Sequence, residues 1–90
     1  AVLHLGEGEL HYQDKKITLT RDELRILHLL IKHGGEVLSR EKIMRALWED
    51  ENFVDDNTLT VNINRLRRKL SDAGLEDWVE TRKGQGYVLL

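Results

Sequence analysis

Apolar residues first appear in short alternating runs. Val2, Leu3 and Leu5 precede Gly6-Glu7-Gly8. Leu10 and Tyr12, then Ile17 and Leu19, alternate with polar neighbours on either side of Gln13-Asp14-Lys15-Lys16. Two period-two runs around a polar turn predict a hairpin, so residues 1–19 read as about three strands. The period then changes. Thr20 with Glu23 three residues on has the form of a capping box, which predicts a helix start. Leu24, Leu27, Leu30 and Ile31 recur at helical spacing, with Ile26 and Leu29 widening the face. Gly34-Gly35 ends this helix, since glycine accepts the left-handed conformation favoured there.

Val37-Leu38 reads as an extended link. Ser39 reads as the N-cap of a second helix, with Glu41 in its first turn and an apolar stripe of Ile43, Met44, Leu47 and Trp48. Residues 49–56 are acidic and lack a period, so a loop is expected. A third helix is predicted over about 56–70, where Leu59, Ile63, Leu66 and Leu70 make one stripe. Val61, Asn64, Arg65 and Arg68 fall on its opposite face. Trp78-Val79-Glu80-Thr81, the turn Arg82-Lys83-Gly84-Gln85-Gly86 and Tyr87-Val88-Leu89-Leu90 predict a closing hairpin over 78–90. The order strands, three helices, hairpin is an α+β arrangement, expected as one domain over 1–90.

Composition alters this picture little; charge placement alters it more. The chain has 90 residues, enough for a modest core, and a formal net charge of −2. Between 57 and 71 there are four cations (Arg65, Arg67, Arg68, Lys69) and no acid. From 82 to 90 there are two (Arg82, Lys83) and again no acid. All 16 acidic residues lie elsewhere, so the molecule is an acidic body with two basic segments. No cysteine is present, which excludes disulfides and thiolate metal sites and fits a reducing cytoplasm. No apolar run approaches the ~20 residues of a membrane span, and no signal peptide is visible. The abrupt opening in strand-like sequence is what a fragment of a longer protein shows.

The third helix has the chemistry of a major-groove reader. Arg reads guanine and Asn adenine with paired hydrogen bonds, and an aliphatic such as Val61 packs on a thymine methyl. Its length over 56–70, roughly 22 Å at 1.5 Å per residue, suits a groove. A solvated helix is the alternative, but such a face normally mixes Glu with Lys, and this one has no Glu. Arg82 and Lys83, at a glycine-rich turn, suit a minor groove or phosphates. Enzymatic chemistry is not expected: no nucleophile elbow, phosphate loop or carboxylate pair is recognisable. His4, His11, His28 and His33 show no metal-ligand spacing, so neither metal nor cofactor is expected. The same arrangement devoted to protein binding is the other rival, and the acid-free face argues against it.

Several motifs occur together at fixed spacing. They are residues 19–23, Leu38-Ser39-Arg40-Glu41, Ala46-Leu47-Trp48, Val54-Asp55-Asp56-Asn57-Thr58-Leu59, Ile63-Asn64-Arg65-Leu66-Arg67-Arg68-Lys69-Leu70 and Gly84-Gln85-Gly86-Tyr87. Over residues 8–90 the chain resembles the OmpR/PhoB effector domains, the C-terminal halves of two-component response regulators. The finer likeness is to regulators of cell-envelope and peptide-antibiotic responses. The resemblance implies a winged helix-turn-helix: an N-terminal antiparallel sheet, a three-helix bundle and a C-terminal β-hairpin wing. It also implies transcriptional regulation in the cytoplasm through double-stranded DNA, with tandem binding at direct repeats. The isolated domain is expected to be monomeric, and a receiver domain is expected upstream, outside this chain.

By position, the resemblance implies base contacts from Asn57, Val61, Asn64 and Arg65. It implies phosphate or groove-wall contacts from Arg40, Trp48, Thr58, Arg67 and Arg68, and a wing contact at Lys83. The segment 49–56, with Glu49, Asp50 and Glu51, corresponds to a contact with RNA polymerase. The chain departs from the family in three places. Lys83 stands where Arg is usual, and Arg82 where an apolar residue is usual, so either cation could enter the groove. Asn57 and Asn64 hold positions that are often basic. Residues 1–19 supply three strands where the family's platform has four, the first being expected before residue 1.

Overall fold

The computed structural model describes residues 1–50 and 56–90; of 48–50 only the backbone is described. The expectations for the side chains of Trp48, Glu49, Asp50 and Glu51, and for the loop over 51–55, therefore lie outside the described residues, while 49–50 and 56, expected in that loop, belong to helices. Eight elements are seen: β1 (Val2–His4), β2 (Glu9–Tyr12), β3 (Lys15–Thr18), α1 (Arg21–Lys32), α2 (Arg40–Asp50), α3 (Asp56–Asp72), β4 (Val79–Arg82) and β5 (Gly86–Leu89).

The first three strands form one antiparallel sheet in chain order. Its register aligns Leu3 with Leu10 and Leu10 with Ile17, so the alternating pattern becomes one apolar row across the sheet. The turn between β2 and β3 is shorter than expected. Only Gln13 and Asp14 lie outside the pairing, and Lys15 and Lys16 pair with Tyr12 and His11. A two-residue turn needs positive φ, and Gln13 supplies it at 56°.

Thr20 and Glu23 cap α1 reciprocally. Glu23 N–H donates to Thr20 Oγ1 at 3.2 Å, and Thr20 N–H donates to Glu23 Oε1 at 2.8 Å. The buried line of this helix is Glu23, Ile26, Leu27 and Leu30, whereas Ile31 is exposed. The apolar face is thus rotated from the expected one, because a carboxylate occupies a core position. Glu23 Oε1 is paired there with Lys69 Nζ of α3 at 2.6 Å, while Oε2 is buried with no hydrogen-bond partner among the described residues. Burial pushes its pKa up, but the hydrogen bonds from Lys69 and Thr20 outweigh it, and the net shift is downward.

Ser39 caps α2, accepting from Lys42 N–H at 3.1 Å. Ile43 and Leu47 are buried. Along α3 the stripe Leu59, Ile63, Leu66 and Leu70 is buried, as its spacing predicts. The helix runs two residues past Leu70 because its stop is Gly74, at φ +96°. Leu75 N–H bonds Leu70 O at 2.8 Å and Gly74 N–H bonds Ser71 O at 3.0 Å, the two bonds of a Schellman motif.

The closing strands pair antiparallel with Arg82 opposite Gly86, so both belong to the strands and only 83–85 form the turn. Gln85 N–H bonds Arg82 O at 2.8 Å, and Gly84 sits at φ +76°, as the third residue of a type II turn requires. On its other side β5 meets the link before α2: Leu38 N–H bonds Tyr87 O at 2.8 Å and Tyr87 N–H bonds Leu38 O at 2.9 Å. Gly86 makes that approach possible. A Cβ there would overlap the Leu38 carbonyl oxygen and lie 2.7 Å from its carbon and 2.8 Å from Ser39 Cα. The wing is therefore bonded by its backbone to the start of α2.

Candidate nucleic-acid interface

The stripe of α3 faces the core, so the opposite side must face solvent. Asn57, Val61, Asn64, Arg65 and Arg68 are all exposed, Val61 by 38%. Thr58 is half-buried, and its carbonyl accepts from the buried Asn62 side chain at 3.0 Å. Among the described residues, neither Arg65 nor Arg68 has an ion pair or a hydrogen bond through its guanidinium. The face expected to read bases is formed, open and free of acids from 57 to 71.

Two other expected phosphate contacts are instead bound within the domain. Arg40 Nε donates to Asp56 Oδ1 at 2.9 Å. Its Nη2 donates to Asp56 O and Thr60 Oγ1, each at 2.7 Å, and its Nη1 donates to Tyr87 Oη. Arg67 Nε donates to Val79 O at 3.2 Å, and its Nη2 donates to Thr81 Oγ1. Both guanidinium carbons lie 5.7 Å from the centroid of the Tyr87 ring. Tyr87 is thus held between one arginine from α2 and one from α3. In the free domain Arg40 and Arg67 bond α2, α3 and the wing to one another, contacts that the sequence did not suggest. The reason is reach. The partners are up to 47 residues away along the chain, and no local pattern signals them. The Gly-x-Gly-Tyr motif was the available signal, because its second glycine and its tyrosine make these contacts.

The wing also separates its two cations. Arg82 Nε is paired with Glu80 Oε1 at 2.7 Å. Lys83 is exposed in the turn and has no ion pair among the described residues. Lys69 is occupied by Glu23 and by Thr18 O at 2.9 Å.

The spacing argument fails for one group of histidines. The β1–β2 hairpin gathers His4, Glu7 and His11, whose ligand atoms lie within 4.8 Å of one another. Positions 4, 7 and 11 do not suggest this, because the turn rather than a helical repeat closes the distance. Among the described residues, no helix is long and apolar enough to cross a membrane.

Comparison with known proteins places this geometry in a family. The family described as "Transcriptional regulatory protein, C terminal" matches residues 14–89. The response regulator protein GraR of Staphylococcus aureus (strain MRSA252) is 47% identical over 88 residues, covering 98% of this chain and 39% of the relative. The chain therefore spans about two fifths of the length of that protein. The C-terminal domain of the nisin resistance regulator NsrR, a lantibiotic response regulator, superposes with a TM-score of 0.89 at 42% identity, covering 98% of this chain and 88% of that one. The DNA-binding domain of the response regulator AdeR, solved in complex with an intercistronic region, shares the fold at a TM-score of 0.80 and 21% identity, covering 98% and 90%.

Proposed function

We propose a function from one premise, that the chain belongs to the family of transcriptional regulatory protein C-terminal domains of the OmpR/PhoB type: it binds double-stranded DNA sequence-specifically as the output domain of a response regulator. The observation that carries this reading is the exposed, acid-free face of α3, with Arg65 and Arg68 unpaired among the described residues. The AdeR domain, with the same fold, was solved on DNA, which supports the reading.

In this reading α3 enters the major groove. Asn57, Val61, Asn64 and Arg65 face base edges. Arg68 and Thr58 meet the sugar-phosphate wall, and Trp48 joins them from α2. The wing tip 82–86 approaches the minor groove with Lys83, in its 83–85 turn, leading, since Glu80 already holds Arg82. Arg40 and Arg67 act as positioning residues that set the wing against α3. Residues 49–56, with Glu49, Asp50 and Glu51, offer a basic surface of RNA polymerase an acidic partner. The whole protein carries a receiver domain upstream and works in the cytoplasm. The isolated domain is a monomer that occupies direct repeats in tandem. Transcriptional regulators of this family are not a class of enzyme, and no catalytic role is assigned.

The test is selection of duplexes from a random pool by this domain at two salt concentrations. The expected result is a short motif repeated about one helical turn apart. Retention without a motif would reduce the domain to a nonspecific binder. No retention at low salt would overturn the reading and leave a winged helix for protein partners. Replacing Glu49, Asp50 and Glu51 together by Ala is expected to spare DNA affinity and lower transcription in a reconstituted assay; unchanged transcription dismisses the polymerase contact.

A further inference from the structure

We propose that the β1–β2 hairpin holds a divalent transition-metal ion of the Zn²⁺ type between His4, Glu7 and His11. The site follows from strand register. Pairing of His4 with Glu9 and of Val2 with His11 puts His4, Glu9 and His11 on one face of the sheet, while Leu3 and Leu10 point to the core. The turn then folds Glu7 back over that face, with Glu7 N–H bonded to His4 O at 3.2 Å and Gly8 at φ +66°. Glu7 Oε2 lies 3.8 Å from His4 Nδ1 and 3.7 Å from His11 Nε2. The two imidazole rings are stacked, 3.8 Å between centroids and 31° apart in plane.

These distances suit an ion better than direct hydrogen bonds. Zinc bonds of ~2.0–2.2 Å in tetrahedral geometry hold ligand atoms roughly 3.4 Å apart. The carboxylate–imidazole separations need to shrink by only a few tenths of an ångström, and the whole set already falls within 4.8 Å. His11 Nε2 is hydrogen-bonded to Glu9 Oε1 at 3.0 Å, and ligation exchanges that bond for the ion; Glu9 then stands beside it as a second carboxylate, so the dipositive charge is matched. Two imidazoles with carboxylate oxygen favour Zn²⁺ and its transition-series neighbours over Mg²⁺ or Ca²⁺, which take oxygen sets. Lys16 stands opposite His11 on β3, but it is exposed on a flexible stem and can swing away. Glu7 is 61% exposed, which leaves a coordination position for water and an entry path. A bound ion clasps the three-residue edge strand β1 to β2.

The test is titration of the chain with ZnSO₄, followed by imidazole ¹⁵N signals in NMR and by the thermal midpoint. His28 and His33 serve as internal references, His33 being paired among the described residues with Glu36 at 3.7 Å. The expected result is that the His4 and His11 signals move together and saturate at one equivalent. The midpoint rises, and equimolar MgSO₄ has no effect. His11→Gln and Glu7→Gln each weaken binding at least about tenfold, the smaller loss known even for outer-shell partners. If His11→Gln lowers the folded fraction in circular dichroism, Glu7→Gln in the solvent-facing turn decides alone. A parallel response of all four histidines, the absence of saturation, or an unchanged affinity in Glu7→Gln would overturn the site.

Discussion

Among the described residues, two arginines three residues apart on α3 have no partner, and two others flank one tyrosine. This division makes the roles of single residues separable. Arg65, on the acid-free face, has its five donors available for a guanine edge. Arg65→Ala is expected to weaken specific binding by about 1–3 kcal/mol and to relax preference at one base pair. An unchanged motif in repeated selection removes it from the base readers. Arg68→Ala is expected to weaken all sequences alike. Arg67 behaves differently because its guanidinium is bonded to Val79 O and Thr81 Oγ1 and lies against Tyr87. Arg67→Ala is expected to reduce folding stability by about 1.5–3 kcal/mol, read as a lower denaturation midpoint in urea. If the midpoint holds while DNA affinity falls, Arg67 is a phosphate contact after all.

At the scale of elements, what joins them matters more than their positions. β5 reaches the start of α2 only because Gly86 has no side chain, and at φ +144° a side chain would be strained in any case. Gly86→Ala is expected to cost at least ~2 kcal/mol and to lower DNA affinity at temperatures where the domain stays folded, since the wing loses its seat. Full stability in this variant would mean that the link before α2 yields easily. Glu23 joins α1 to α3 through Lys69. Its pKa is lowered in the fold, so the folded state favours the carboxylate. Its contribution is therefore complete above the ordinary value of 4.5 and is lost as pH falls through the lower folded value. Lys69→Met leaves that buried carboxylate unpaired. The expected loss at neutral pH lies toward the low end of ~3–5 kcal/mol, since water reaches Lys69, and the acid-induced loss should shrink, because without Lys69 burial raises the folded pKa of Glu23 back toward its ordinary value. A pH profile of the midpoint unchanged in shape would show that Glu23 finds another donor. These joints also mark what the sequence could not disclose. The α3 stripe was legible because Leu59, Ile63, Leu66 and Leu70 report a period directly, and the exposed face follows as its complement. The cap of α1 was legible because both partners lie within four residues. The rotated face of α1 was not, since it depends on a cation 46 residues from Glu23. The binding of Arg40 and Arg67 to Tyr87 was hidden for the same reason, as was the meeting of His4 and His11 across a turn.

For the whole molecule, the sum of charges misleads and their commitments decide. The net charge is −2, and six cations sit in the two basic segments. Three of the six are already engaged within the fold: Arg67 by Val79 and Thr81, Lys69 by Glu23, and Arg82 by Glu80. Arg65, Arg68 and Lys83 have no such partner among the described residues, and the proposed function gives them to DNA. Each phosphate neutralised contributes about 0.9 to the slope of log affinity against log salt, so these three cations together limit the slope to roughly −3 per bound copy. That is shallow for a protein reading a major groove, and on the proposed reading hydrogen bonds to base edges must supply much of the affinity as well as the discrimination. Fluorescence anisotropy on the selected half-site between low and physiological salt reads the slope directly. A value near −3, reduced by about 1 in Arg68→Ala, supports the division between free and engaged cations. A slope of about −6 would instead mean that Arg40, Arg67 and Arg82 all leave their partners on DNA, so that the contacts holding the wing to α3 in the free domain open when the phosphates arrive.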